Sequence, residues 1–265
     1  MNKTLVCGAV SAVLLCTLAT SAARSQSAAA NVARAQQTLG EIERLIDGMH
    51  ARAAGGGTGE PAKMATGSLF DGATLAGWKP TDFRGAGAVR VDPRFRGGTP
   101  AIVVDAGSAL TGITWTGKDS IPKTNYEISL ESMKIDGLDF MCGLTFPVDS
   151  SYATLILGGW GGNVVGISSI EGQDASENET SRGMEFAKDH WYAVRMRVTP
   201  ARLEAWLDDK KIVDVNIAGK KIGLRFGEIS KSAPLGLASY QTKAAWRNIR
   251  LRELGGPQQA AGNRL

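Results

Sequence analysis

Histidine and cysteine are scarce in this chain: its 265 residues hold 2 histidines, His50 and His190, and 3 cysteines. A His-rich metal site or a Ser-His-Asp triad needs imidazoles beside other ligands or nucleophiles, and two histidines far apart in sequence support neither. His190, in the segment KDHWY, reads as a turn residue entering a strand. A dense basic run is also missing. Thirty Lys and Arg stand against 26 Asp and Glu, and the formal net charge of +4 is spread along the chain. Counterion-release binding to nucleic acid therefore has no footprint. No apolar stretch is long enough to span a bilayer as a helix, and no glycine-rich phosphate loop precedes a helix in the main domain.

The apolar run that is present, residues 5–20, follows Lys3 and leads into small residues at 19–23. That order is the pattern of a cleaved signal peptide over residues 1–23, cut near Ala22 or Ala23, and it implies export to the periplasm or the exterior. Cys16 is not a lipidation site of the expected form, because Leu15 before it is large. Cleavage removes Cys7 and Cys16 and leaves Cys142 with no intrachain disulfide partner, so the fold rests on its core.

Residues 24–53 read as an amphipathic helix, with Val32, Ala35, Leu39, Ile42, Ile46 and Met49 forming one stripe. The stripe either mediates self-association through residues 27–53 or docks loosely. Residues 54–67 read as a flexible linker, opened by AGGGTGEPA at 54–62, and residues 255–265 as a disordered tail. Between them, residues 68–254 change to a period of two. Short apolar or alternating runs recur at 101–105, 110–116, 124–131, 139–148, 152–158, 163–170, 191–198, 202–208, 211–217, 221–226, 234–240 and 245–252, each bounded by turn residues. So many strands without a helical period predict an all-β, two-sheet sandwich. The strand at 124 switches from Tyr126, Ile128 and Leu130 to Met133 and Ile135, which predicts a bulge near Ser132. Asp208-Asp209-Lys210 is read as a hairpin turn and not as catalytic machinery.

The two ends of this β region carry a resemblance. SLFDGATLAGWKP at 68–80 and AWRNIRLREL at 245–254 resemble the opening and closing segments of the 3-keto-disaccharide hydrolase domain family; DHWYAVRMRV at 189–198 and AWLDDKKIVDV at 205–215 resemble its tryptophan-led strand and following hairpin. The resemblance implies a concanavalin A-like jelly roll and hydrolysis of glycosides oxidised at the 3-position. Several of the family's polar motifs are replaced here. Its Asn-Ser-Gly stretch corresponds to MCGLTFPV at 141–148, where only Gly143 survives; its Glu, Gln and Asp strand corresponds to the apolar YATLILGGW at 152–160; and its Gln-x-His-Gly corresponds to Ser239-Tyr240-Gln241-Thr242.

The acids that remain define the candidate chemistry. Glu127 and Glu131 share a strand face in EISLE, which resembles the Glu-x-Asp-x-Glu strand of laminarinase-like glucanases with Ser129 in the central place. Such a pair can serve as acid and nucleophile or base, but it must approach within about 5–10 Å, and i and i+4 on a flat strand lie about 13 Å apart. Either they lean together as catalytic residues or they are a solvated face. Asp174 and Glu177, in the acidic loop IEGQDASENETSR with Glu171 and Glu179, offer oxygen ligands for calcium, or else form a solvated loop. Asn178-Glu179-Thr180 is a glycosylation sequon. Trp160 in GGWGG is either a platform for a sugar ring or a cap folded over the core; Tyr240 and Gln241, by their place in the family pattern, line the same face, or else Tyr240 simply packs. Trp191, Trp206 and Trp246 are expected in the core. Two readings follow: a secreted, carbohydrate-active glycoside hydrolase, or a non-catalytic carbohydrate-binding or envelope interaction module on the same fold.

Overall fold

A computed structural model of the protein describes residues 66–255 and, upstream of them, the single residue Gln37. The expected leader and helix, and most of the linker and tail, lie outside the described residues. Among those residues no helix is long and apolar enough to cross a membrane.

Fifteen strands, numbered β1–β15 in chain order, form two antiparallel sheets. Sheet I runs β13 (Lys210–Asn216), β12 (Arg202–Leu207), β11 (Trp191–Val198), β6 (Tyr126–Gly137), β15 (Thr242–Glu253), β4 (Ala101–Val104), β3 (Val89–Asp92), with β1 (Gly67–Ser68) paired to the far end of β15. Sheet II runs β10 (Arg182–Gly183), β9 (Val164–Ser168), β8 (Ser151–Gly159), β7 (Cys142–Val148), β14 (Gly236–Tyr240), β5 (Leu110–Trp115), β2 (Trp78–Pro80). This is the jelly-roll-like sandwich that the alternating pattern predicts.

Alternation decides which side chains meet between the sheets. Tyr126, Ile128 and Leu130 of β6, Leu144 and Phe146 of β7, Leu155 and Leu157 of β8 and Trp246 of β15 form one core, almost all of it sealed from water. Two buried polar groups tie the sheets across that core: the Tyr126 hydroxyl donates to Pro147 O at 2.5 Å, and the Trp246 indole N–H donates to Met141 O at 3.0 Å. Without these partners each polar group would be stranded in an apolar interior.

The segments that carry the family resemblance have structural work. Leu69 and Phe70 enter the core; Asp71 accepts hydrogen bonds from the backbone N–H groups of Ala73 and Thr74, each at 2.8 Å; and the Trp78 indole N–H donates to Leu69 O at 2.7 Å. Gly77 has φ +79° and packs against Trp115, which meets Trp78 edge-on at 5.2 Å. The closing segment joins the opening one directly, with Leu69 N–H donating to Ile249 O at 2.9 Å and Gly67 paired with Leu251.

Several sequence expectations are corrected. Residues 221–226 are not a strand; they belong to a loop held by the isolated bridge Ile170↔Ile222 and by hydrogen bonds such as that from the Ser151 hydroxyl of β8 to Ile222 O at 2.8 Å. The bulge expected near Ser132 lies three residues further on: β6 pairs with β11 in unbroken register from Trp191↔Met133 to Val198↔Tyr126, and against β15 the extra residue of β6 is Ile135, between Lys134↔Ala244 and Asp136↔Lys243. The register shifts occur in the pairing with β15, between Lys243 and Ala244 and between Arg247 and Arg250, where Asn248 has φ +53°. Met133 and Ile135 stay on the outward face of β6. They turn apolar because Phe95, Val103, Ala245 and Trp191 cover that end of the face with a small second core. Trp246 is in the main core as expected, whereas Trp206 lies on the outer face of sheet I, with the Arg195 guanidinium carbon 3.7 Å from its ring centroid. The Asp208-Asp209 turn has both residues left-handed, φ +46° and +66°, and the Asp208 carboxylate accepts from Ala193 N–H at 2.8 Å.

Candidate functional site

The outer face of sheet II is where the structure gathers rings and a cavity. Leu110 of β5, Ile156 of β8 and Ala238 of β14 point outward because their neighbours Ile113, Leu155 and Leu237 point into the core, and they join Phe83, Phe140 and Ala175 in an apolar floor. Small residues keep this floor accessible. Gly112 faces Ala238, Ala238 faces Gly143, and the Phe140 ring lies over Gly143, where an added Cβ would sit 3.0 Å from it. The retained Gly143 thus has a packing reason.

Over this floor lies a cleft of about 370 Å³, lined also by Asp139, Thr154, Trp160, Ser168, Tyr240 and, from the loop beyond, Arg225, Phe226, Glu228 and Ile229. Trp160 sits at the tip of the β8–β9 hairpin with φ +50°, and Gly158, Gly161 and Gly162 around it all have positive φ, so the tip presents the indole with no side chain beside it. Asp139 fixes that tip by accepting from Gly161 N–H at 2.9 Å, and its other oxygen accepts from Phe140 N–H at 2.8 Å. Behind the tip, burial lowers the pKa of Lys134, with the nearby Asp139 opposing the change. Arg225 reaches toward the indole, its guanidinium carbon 5.8 Å from the ring centroid. Asp174 holds it there: Arg225 pairs with one carboxylate oxygen at 3.0 Å, and the Ser168 hydroxyl donates to the other at 2.8 Å. Tyr240 packs at 5.8 Å on Phe140. Trp160, Phe226 and Leu138 are the exposed large hydrophobic side chains among the described residues, and the first two line the cleft.

Of the residues singled out from sequence, Trp160 and Tyr240 therefore share one cleft. Gln241 is beside it at the β14–β15 turn, with its side-chain amide donating to Ser108 O at 3.0 Å. Glu127 and Glu131 are elsewhere, on the outer face of sheet I. Glu127 is met by Arg195, Arg197 and Arg252 at 3.0–3.2 Å; Glu131 accepts from Arg247 at 2.5 Å and from the Asn248 amide at 2.9 Å. Burial pushes the Glu127 carboxyl pKa up, but the hydrogen bonds from Arg252, Arg197 and Arg195 together outweigh it and hold the group below the ordinary carboxylate range. Asp174 positions Arg225, as above, while Glu177 is exposed in the same loop. Among the described residues no three His, Cys, Asp or Glu side chains are grouped to hold a metal ion. Asn178 of the sequon is buried, its amide donating to Ile167 O, Gln173 O and Asp174 O at 2.7–3.0 Å, so it is a fold residue.

Sequence reasoning missed Phe140, Asp139, Arg225, Phe226, Thr154 and Ser168 as cleft residues. The one local signal was RFG at 225–227, where a phenylalanine stands before Gly227 (φ +125°) in a polar loop.

A jelly-roll sandwich with a ring-lined cleft on one outer sheet face is the class of protein these features define. The chain belongs to the 3-keto-alpha-glucoside-1,2-lyase-like domain family, whose model matches residues 65–252. No curated protein matches the chain significantly. Among solved structures, domain 4 of AbnA, a GH43 extracellular arabinanase from Geobacillus stearothermophilus, is 15% identical, with 73% of this chain and 94% of that chain covered and a TM-score of 0.46. The carbohydrate binding module CBM66 from Bacillus subtilis is 12% identical, covering 68% of this chain and 97% of that one, with a TM-score of 0.43. A beta-1,3-glucanase from Mycobacterium marinum is 14% identical over 72% of this chain and 100% of that one, also with a TM-score of 0.43. These distant likenesses carry no functional weight.

Proposed function

We propose that this is an exported carbohydrate-binding protein that holds a sugar in the cleft over sheet II. The observation that carries the reading is the set of rings around that cleft: Trp160 and Phe226 exposed at its mouth, and Tyr240 on its wall. Sugars present C–H faces that pack on such rings, while the Arg225 guanidinium, held by Asp174 and still half exposed, supplies hydrogen-bond donors for hydroxyls. Membership of a family named for a glucoside supports the same class of ligand. The cleft's carboxylates are already engaged, Asp139 by backbone N–H groups and Glu228 by Lys231 and Arg84 N–H, which favours binding over acid–base turnover. The test is a glycan array followed by calorimetry on the mature chain. Trp160→Ala is expected to weaken binding about tenfold or more at unchanged melting temperature, the loss of one stacking platform. Full affinity in both Trp160→Ala and Phe226→Ala would overturn the assignment of the cleft.

The family match favours a second reading, turnover of a 3-keto-α-glucoside by hydrolysis or by 1,2-elimination. A C3 carbonyl acidifies the C2 proton, so elimination needs a base at C2 and an acid for the departing C1 oxygen, whereas hydrolysis adds water at C1. Incubating a 3-keto-α-glucoside with wild type, Asp139→Asn and Glu131→Gln separates the cases. Turnover lost only in Asp139→Asn assigns chemistry to the cleft; loss only in Glu131→Gln assigns it to sheet I; no turnover in wild type leaves binding alone.

A further inference from the structure

The outer face of sheet I contains an arrangement that the cleft reading does not use. In EISLE the position between the two glutamates is Ser129, and the register places Arg195 of β11 on one side of it and Arg250 of β15 on the other. The rows above and below alternate charge: Glu127 lies between Arg197 and Arg252, and Glu131 pairs with Arg247. Only at Ser129 is the central carboxylate replaced by a hydroxyl. Arg195 leans to the next row, pairing with Glu127 at 3.2 Å, and Arg250 forms no ion pair among the described residues. Across these three strands, five arginines (195, 197, 247, 250, 252) face two glutamates. An open cavity of about 400 Å³ lies over this position, lined by Ser129, Arg195, Asn248 and Arg250 and also by the carboxylate residues Glu131 and Asp209.

Two strand spacings separate Arg195 from Arg250, about 10 Å between their backbones, a gap that two long guanidinium side chains span around one oxyanion. Arg250 and Arg252 repeat the cation about 7 Å further along β15, as an extended polyanion requires. The Arg195 guanidinium carbon lies 3.7 Å from the Trp206 ring centroid, with Arg197 and Lys211 each at 5.1 Å, so cations crowd the ring on which a nucleobase would have to stack.

We propose that the outer face of sheet I carries a second site, an oxyanion slot over Ser129 flanked by Arg195 and Arg250, which takes the sulfate or carboxylate groups of an acidic glycan. The site is separate from the cleft on sheet II and stands or falls independently of it.

The test measures binding of the mature chain to dextran sulfate, polygalacturonate, neutral dextran and single-stranded DNA at low and high salt. Ser129→Asp places a carboxylate between the two arginines and completes the charge pattern. Arg250→Gln removes an arginine that holds nothing else in place. Lys118→Gln, on the loop after β5, makes the same one-charge change as Arg250→Gln at a distant position. The expected result is salt-sensitive binding to at least one acidic glycan, none to neutral dextran, and about tenfold weaker binding in Ser129→Asp and Arg250→Gln but not in Lys118→Gln. Equal weakening in Lys118→Gln would reduce the effect to net charge and overturn the slot. Binding to DNA without binding to either acidic glycan would overturn the ligand class, and unaltered binding in both slot variants would overturn the site. Melting temperatures of all variants confirm that each is folded.

Discussion

Replacing Glu127 with glutamine tests the electrostatics of sheet I most directly. Its carboxylate takes Arg252 on one oxygen at 3.0 Å and Arg195 and Arg197 on the other at 3.2 and 3.0 Å, and its side chain is 9% accessible to water. The substitution keeps the shape and removes the charge, leaving three arginines facing one another. Breaking a fully buried pair costs about 3–5 kcal/mol, but these arginines keep 31–64% of their side-chain exposure, and water recovers part of the loss. About 2 kcal/mol is therefore expected at pH 7, or about 4–8 °C in melting temperature for a domain of this size. The sign with pH follows from the depressed folded pKa. The stabilisation is complete above the unfolded value of about 4.3 and disappears as pH falls through the lower, folded one. Urea unfolding of wild type and Glu127→Gln should show the full gap at pH 7 and a narrowed one at pH 3, below the unfolded value, where the unfolded chain takes up a proton that the folded one resists. A gap of the same size at both values, or none at pH 7, would refute the account.

Gly77→Ala should destabilise the domain by about 2–4 kcal/mol, since the new Cβ would stand 2.7 Å from the Trp115 ring at a left-handed backbone position; a melting temperature within a degree of wild type would count against it. Cys142 should resist alkylation in the folded protein and react on unfolding, because burial pushes its thiol up to about 12; rapid labelling of native protein by iodoacetamide is the contrary result.

The legible part of the sequence was its long strands. Period-two alternation located β6, β11, β12 and β15, because one side of each faces a continuous core, and β8 showed as an apolar run because both of its faces are buried. Strands β1, β2, β3 and β10 have two to four residues each, too few for alternation to register. Residues 221–226 show the converse error: Ile222, Leu224 and Phe226 alternate as a strand would, yet Phe226 is fully exposed. Alternation correctly put Glu127 and Glu131 on one outward face, but it carries no information about which of two sheets faces the ligand. That depends on long-range pairing. For the same reason, Trp160 and Tyr240 could be matched to a common face only through the family pattern, while Arg225 and Asp174, 51 residues apart, meet there without any local trace.

The place of β15 sets the order in which the domain can be completed. The last strand among the described residues lies in the interior of sheet I, bonded to β6 on one side and to β4 and β1 on the other. Until residues 242–253 are made, β3 and β4 have no neighbour joining them to β6, β11, β12 and β13, and the core lacks Trp246. A chain stopped before this strand therefore has all of sheet II but only two unjoined parts of sheet I, and sheet I cannot close until residues 242–253 are present.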